Sequence, residues 1–174
     1  MPAGVQKVLL AGALCNDSHI SLEDGQWKIQ GDPTEAALLV SAQKCGFPAE
    51  EVSQKFARLD VIQFESDRQY MATMHADAEG KGSRIYVKGA VEKVVDLCSH
   101  QAGPNGGRVS LDREAILREA EALAKTGYRM LAFAEGSCDT AEKSLSRDTW
   151  RGNLLFTGLQ ALMDPPRAES KGAV

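Results

Sequence analysis

The segment "QYMATMHADAEGKGSRIYVKG", residues 69–89, has a hydrophobic period of two. In its first half Tyr70, Ala72 and Met74 fall on one face, and Met71, Thr73 and His75 on the other. A polar, glycine-containing stretch, "EGKGS" (79–83), follows, and "RIYVKG" (84–89) resumes the alternation. Two short strands joined by a turn form an antiparallel pair. "LDVIQF" (59–64) lies just before them and extends the pair to a meander.

Outward from this centre the elements alternate without the regular strand–helix–strand rhythm of a doubly wound sheet. Upstream, residues 4–14 form a short apolar helix, "CNDSHI" is a polar break, and "HISLEDGQWKIQG" (19–31) is a small hairpin turning at Asp24-Gly25. "GDPTEAALLV" (31–40) is a helix start: Asp32 caps, Pro33 suits the first turn, and Glu35 stands where a capping box needs an acid. This helix is expected to run to about Lys44 and stop near Gly46, with another beginning at Pro48. Downstream, 90–99 has a stripe of Val91, Val94, Val95 and Cys98, "QAGPNGGR" (101–108) is a loop, and Ser110 is expected to cap a helix over 111–126 that ends at Gly127. "YRMLAFAEG" (128–136) and "NLLFTGLQAL" (153–162) complete the strands. The expected fold class is α+β: an antiparallel sheet flanked by helices.

The 174 residues suit one domain with a terminal extension, 43% hydrophobic and 25% charged. A net charge of −4 without basic runs argues against nucleic acid and against an anionic membrane surface. No apolar run approaches the roughly 20 residues that span a bilayer. Cys15, Cys45, Cys98 and Cys138 form no CxxC pair, so buried reduced thiols and a cytoplasmic setting are expected rather than zinc or disulfides. No GxxxxGK[ST], GxSxG, HExxH or kinase signature occurs.

Five segments in fixed order carry a resemblance: "GDPTEAALL" (31–39), "FESDRQYMATMH" (64–75), "YVKGAVEKVVDLC" (86–98), "GYRMLAFA" (127–134) and "LMDPPR" (162–167). Together they resemble the nucleotide-binding domain of P-type cation-transporting ATPases, on the calcium-pump-like side, from about residue 13 to 167. The resemblance implies an ATP-binding domain over 1–163 that presents the γ-phosphate to a separate phosphorylation domain. Residues 164–174 would be a hinge towards it. In the parent pump, Mg-ATP would be the ligand, and the phosphorylation and actuator domains the partners. The domain would lie on the cytoplasmic side of an integral membrane protein, itself monomeric and without membrane contact. No DKTGT phosphorylation motif occurs in these residues, so hydrolysis by this chain alone is not expected.

The resemblance also implies roles for single residues. Phe64 would stack on adenine, a role any aromatic face suits, although core packing is the commoner use of a phenylalanine. Glu35 would accept from the adenine amino group, since a carboxylate is acceptor-only. Lys88 and Arg129 would face ribose and phosphates, where permanent positive charge helps. Gly89 would let the backbone approach the ligand, and Met71 and Leu131 would complete the slot. The chain departs from the family pattern at Gln69, where many members have lysine, at Val91, where they have proline, and at Ser66, where some calcium pumps have arginine. Two other readings follow from the residues: an interaction module of the same fold without nucleotide, and an unrelated enzyme using the acids near Glu65 and Asp67.

Overall fold

The computed structural model describes residues 1–77, 82–138, 144–146, 150 and 152–163. The chain enters through α1 (Ala3–Leu14), the hairpin β1 (His19–Glu23) and β2 (Gln26–Gln30), α2 (Pro33–Lys44) and α3 (Ala49–Lys55). It continues through β3 (Arg58–Ile62), β4 (Tyr70–Ala76), β5 (Ser83–Gly89), α4 (Val91–Leu97), β6 (Cys98–Ala102), β7 (Arg108–Ser110), α5 (Arg113–Lys125), β8 (Arg129–Cys138) and β9 (Leu154–Leu162). Strands β3 to β9 make one sheet in the order β3-β4-β5-β8-β9-β6-β7, antiparallel except where β6 runs parallel to β9. The expected α+β class is the one found.

The alternation read in residues 69–89 sorts two cores. Tyr70, Ala72 and Met74 pack with Ile85, Val87, Ala132 and Ala134 against Val91, Val94 and Val95 of α4 and Ala120 of α5. On the opposite face, Met71, Tyr86 and Phe133 pack against Ala11 and Leu14 of α1, Leu38 of α2 and Val52 of α3. The central strands are therefore buried on both sides, and a one-residue slip of register would exchange the two cores. The Asp24-Gly25 turn of the hairpin has both residues at positive φ, 50° and 76°, the conformation that matches the twist of the strands.

Four expectations are corrected. The segment from residue 98 does not continue the helix: α4 ends at Leu97, and 98–102 form β6. "QAGPNGGR" is not all loop, because Ala102 pairs with Arg108 around a tight turn closed by Gly103 N–H on the Gly107 carbonyl at 2.7 Å. Ser110 does not cap α5. It is engaged by pairing with His100, and Asp112 caps instead, accepting from Ala115 N–H at 2.9 Å. The thiols are not all buried either, for Cys45 is exposed. Burial raises the Cys15 thiol pKa and pushes that of Cys98 up to about 12, so both stay protonated at neutral pH.

His75, on β4, is buried with its Nδ1 2.9 Å from the Phe56 carbonyl. Burial holds the imidazole below its ordinary 6.5, Arg58 acts in the same direction, and the Phe56 and Leu14 carbonyls oppose both. A depressed histidine pKa means that the unfolded chain binds the proton more readily. Stability is therefore complete above about pH 6.5 and falls as the pH drops below that value. The melting temperature is expected to be lower at pH 5 than at pH 7.5, with a smaller difference in His75→Gln. An equal difference in both proteins would remove His75 as the cause.

Candidate functional site

The site is organised by the first turn of α2. Asp32 caps it, its Oδ1 accepting from Thr34 N–H at 2.8 Å and from Glu35 N–H at 3.1 Å. With Pro33 at the first position, the helix leaves the hairpin at a fixed angle. The other half of the expected capping box is not made in that form. The Glu35 carboxylate turns towards the sheet: Oε1 accepts from Lys88 Nζ at 2.5 Å, and Oε2 from Asp17 N–H at 2.8 Å and the Ser18 hydroxyl at 3.4 Å.

Lys88 lies on β5, and its side chain is 8% exposed against 18% for Glu35. A lysine so buried needs an oppositely charged partner, and Glu35 is that partner. Sheet register sets what surrounds it. Lys88 stands opposite Met71 on β4 and Phe133 on β8, so all three share one face. Leu131 and Arg129, two and four residues before Phe133, fall on the same face nearer the start of β8. Arg129 Nη1 reaches the Thr34 hydroxyl at 2.9 Å, so the first turn of α2 meets Lys88 through Glu35 and Arg129 through Thr34. A cleft of ≈ 350 Å³ opens beside Arg129, lined by Asp32, Pro33, Thr34, Ala37, Leu162 and Met163.

Phe64 stands 57% exposed in the connection between β3 and β4. That connection is tightly built. Arg68 and Gln69 N–H donate to the Glu65 carbonyl at 3.1 and 2.7 Å, and the Arg68 guanidinium meets the Glu65 carboxylate at 2.8 Å. Gln69 sits at φ 58°, a conformation that L residues seldom adopt, and its carbonyl accepts from Ala90 N–H at 2.9 Å. The connection carrying Phe64 is thereby tied to the end of β5 that carries Lys88.

Gly89 has a structural reason of its own. A Cβ there would lie 2.3 Å from the Gln69 carbonyl oxygen and 2.7 Å from Tyr70 Cα. Met71 is 1% exposed and belongs to the core beneath α1 and α2, while Leu131 is half-buried at its margin. The structure thus brings Glu35 and Lys88 into direct contact, gathers Met71, Leu131 and Arg129 on their face, and places Phe64 and Gly89 at the same end of the sheet. Sequence reasoning missed Asp17, Ser18, Thr34 and Arg58. The polar break "CNDSHI" is the signal that held the first two. Among the described residues no group of three or more His, Cys, Asp or Glu side chains is placed to hold a metal ion.

The family described as P-type ATPase, cytoplasmic domain N, matches residues 4–169. The chain belongs to the P-type ATPases. It is 42% identical over its whole length to the cation-transporting ATPase pma1 of Synechocystis, and 41% identical over 99% of its length to the probable cation-transporting ATPase F of Mycobacterium tuberculosis. A calcium-transporting ATPase of Bacillus subtilis is 33% identical over 98% of the chain. In each case the chain spans 19% of the relative's length. As a P-type ATPase domain N it carries the seven-stranded sheet just described. No helix among the described residues is long and apolar enough to cross a membrane.

Proposed function

We propose that this domain binds the adenine nucleotide of a P-type cation pump and holds it for phosphoryl transfer on another domain. The observation that carries this reading is the convergence at one end of the sheet. Glu35, Lys88, Arg129 and Thr34 meet around the first turn of α2, and an aromatic side chain stands exposed at the same end. Phe64 offers a face for the base, Glu35 an acceptor for its amino group, Lys88 a donor for the base edge and the ribose, and Arg129 positive charge for the phosphates. Leu131 would edge the slot, with Met71 supporting it from below and Gly89 keeping β4 and β5 close.

The contribution of such a domain to the reaction is placement. Binding the base and sugar here orients the triphosphate, so that its terminal group can be offered to an aspartate elsewhere in the parent chain. Magnesium would act on the phosphates at that second domain and matter little to binding by this one. Residues 164–174, outside the described residues, would be the connection back to the phosphorylation domain.

Titration with ATP, followed by amide chemical shifts, tests the reading. Saturable shifts at Phe64 and Lys88 are expected with a dissociation constant near 1 mM, equivalent to about −4 kcal/mol. Phe64→Ala removes an exposed ring that the fold does not need, and should weaken binding by about 1–3 kcal/mol while leaving the melting temperature unchanged. No saturable shift would favour an interaction module without nucleotide, and equal affinity in Phe64→Ala would overturn the placing of the base on Phe64.

A further inference from the structure

We infer that Arg58, through the turn Asn16–Asp17–Ser18, is a positioning residue for Glu35, and that this device sets the preference for adenine over guanine. The selectivity part rests on the nucleotide reading above; the positioning part rests on geometry alone.

Glu35 is fixed from two directions. Its Oε1 is on Lys88, and its Oε2 takes the Asp17 N–H and the Ser18 hydroxyl. The donor at Asp17 is a main-chain group, so its place depends on the turn around it. Arg58 holds that turn from β3. Its Nη1 donates to Asp17 Oδ1 at 2.5 Å, and its Nη2 to the carbonyl of Asn16 and to that of Leu14 at 3.4 Å. Asn16, 7% exposed, braces the other side, donating to the Gly12 carbonyl at 3.0 Å and the Glu35 carbonyl at 2.8 Å while accepting from Ser18 N–H at 2.9 Å. The single Ser18 hydroxyl proton is shared between Glu35 Oε2 and the nearer Asp32 carbonyl at 3.1 Å, and a Cβ on Gly31 would lie only 2.4 Å from Ser18 Oγ. The end of α1, the start of α2 and β3 are thus locked together around one carboxylate.

This rigidity has a chemical consequence. Glu35 can only accept, and Lys88 can only donate. Side by side, they match an edge that presents an amino donor next to a ring-nitrogen acceptor, which is what adenine offers. Guanine puts a carbonyl oxygen where adenine has the amino group. A carboxylate free to swing could exchange places with the ammonium and satisfy guanine equally well. One clamped through Oε2 cannot, and guanine would then leave polar groups unpaired, the arrangement that gives strong discrimination.

The experiment uses the 174-residue chain with Arg58→Gln, Arg58→Lys and Ser18→Ala, and has two readouts. Without nucleotide, the Asp17 amide reports whether the turn still holds Glu35. Its hydrogen exchange is expected to be at least tenfold faster in Arg58→Gln than in wild type. With nucleotide, amide-shift titrations give the ratio of GTP to ATP dissociation constants. That ratio is expected to fall at least fivefold in Arg58→Gln and about twofold in Ser18→Ala, and to be largely retained in Arg58→Lys. Lower stability with an unchanged ratio would make Arg58 merely structural and overturn the selectivity role. Unchanged exchange at Asp17 would overturn the positioning role. If the wild-type chain binds neither nucleotide saturably, the nucleotide reading falls and selectivity with it, while the Asp17 amide still decides the positioning. Should Arg58→Gln fail to fold, Ser18→Ala decides on both readouts.

Discussion

Gly89→Ala is expected to cost about 3 kcal/mol or more of stability, at the upper end of what adding one carbon to a packed site does. Cost is set by what the new atom would meet. At Gly89 the nearest atom is the Gln69 carbonyl oxygen at 2.3 Å, followed by Tyr70 Cα at 2.7 Å, and both are backbone. A flexible side chain could swing aside; these atoms can move only if the start of β4 moves. That start is pinned, because Tyr70 pairs with Gly89 and the Gln69 carbonyl accepts from Ala90 N–H. Relief would therefore break the Ala90 bond or part the strands where Met71 faces Lys88. Urea unfolding of Gly89→Ala against Gly4→Ala measures the effect, since nothing lies within 4 Å of a Cβ at Gly4. Gly4→Ala should be neutral or slightly stabilising. A loss below about 1 kcal/mol at Gly89 would mean that the connection before β4 yields easily.

Gly89 also shows which features sequence can display. A glycine ending a strand beside a proposed ligand invites the idea of close approach to that ligand. The close approach is there, but the atoms approached are the chain's own. Features that depend on neighbours along the chain were legible: the alternation of β4 and β5, the cap at Asp32, the turn at Asp24-Gly25. Those that depend on distant partners were not. Residues 98–102 become a strand because β9 and β7 flank them, and nothing inside "CSHQA" announces this. Asp112 rather than Ser110 caps α5 because His100 has already taken Ser110 into a strand pair. The site divides in the same way. The residues of the nucleotide reading were legible only as ordered motifs shared with a family, since residue type alone puts Phe64 and Met71 in a core. Met71 is indeed core, and Phe64 is exposed. That Glu35 would leave its capping role for Lys88, 53 positions away, could not be read from spacing at all.

Lys88→Met is expected to destabilise the domain by about 3 kcal/mol, within the range for breaking a buried ion pair from one side. The lysine side chain is 8% exposed and that of its partner 18%, so solvent screens the pair weakly. Removing the lysine leaves a carboxylate that still accepts from Asp17 N–H and Ser18 but no longer faces a cation. Glu35→Gln should cost a similar amount: the amide oxygen can still accept from Lys88, but the ammonium loses its anion and the new NH2 group faces the Asp17 N–H. The double variant should then be more stable than the sum of the two losses implies, with a coupling of about 1.5 kcal/mol or more, the signature of residues in direct contact. Chemical denaturation of the four proteins measures that coupling, and additive losses would mean that the 2.5 Å contact contributes nothing beyond its separate parts. The same four proteins separate stability from recognition. On the nucleotide reading, an adenine amino group bound to Glu35 would compete with Lys88 for Oε1, so entry of the base would loosen the pair. Glu35→Gln should consequently narrow the preference for ATP over GTP, which a loss of stability alone would not do, whereas Lys88→Met should lower stability and weaken binding of ATP.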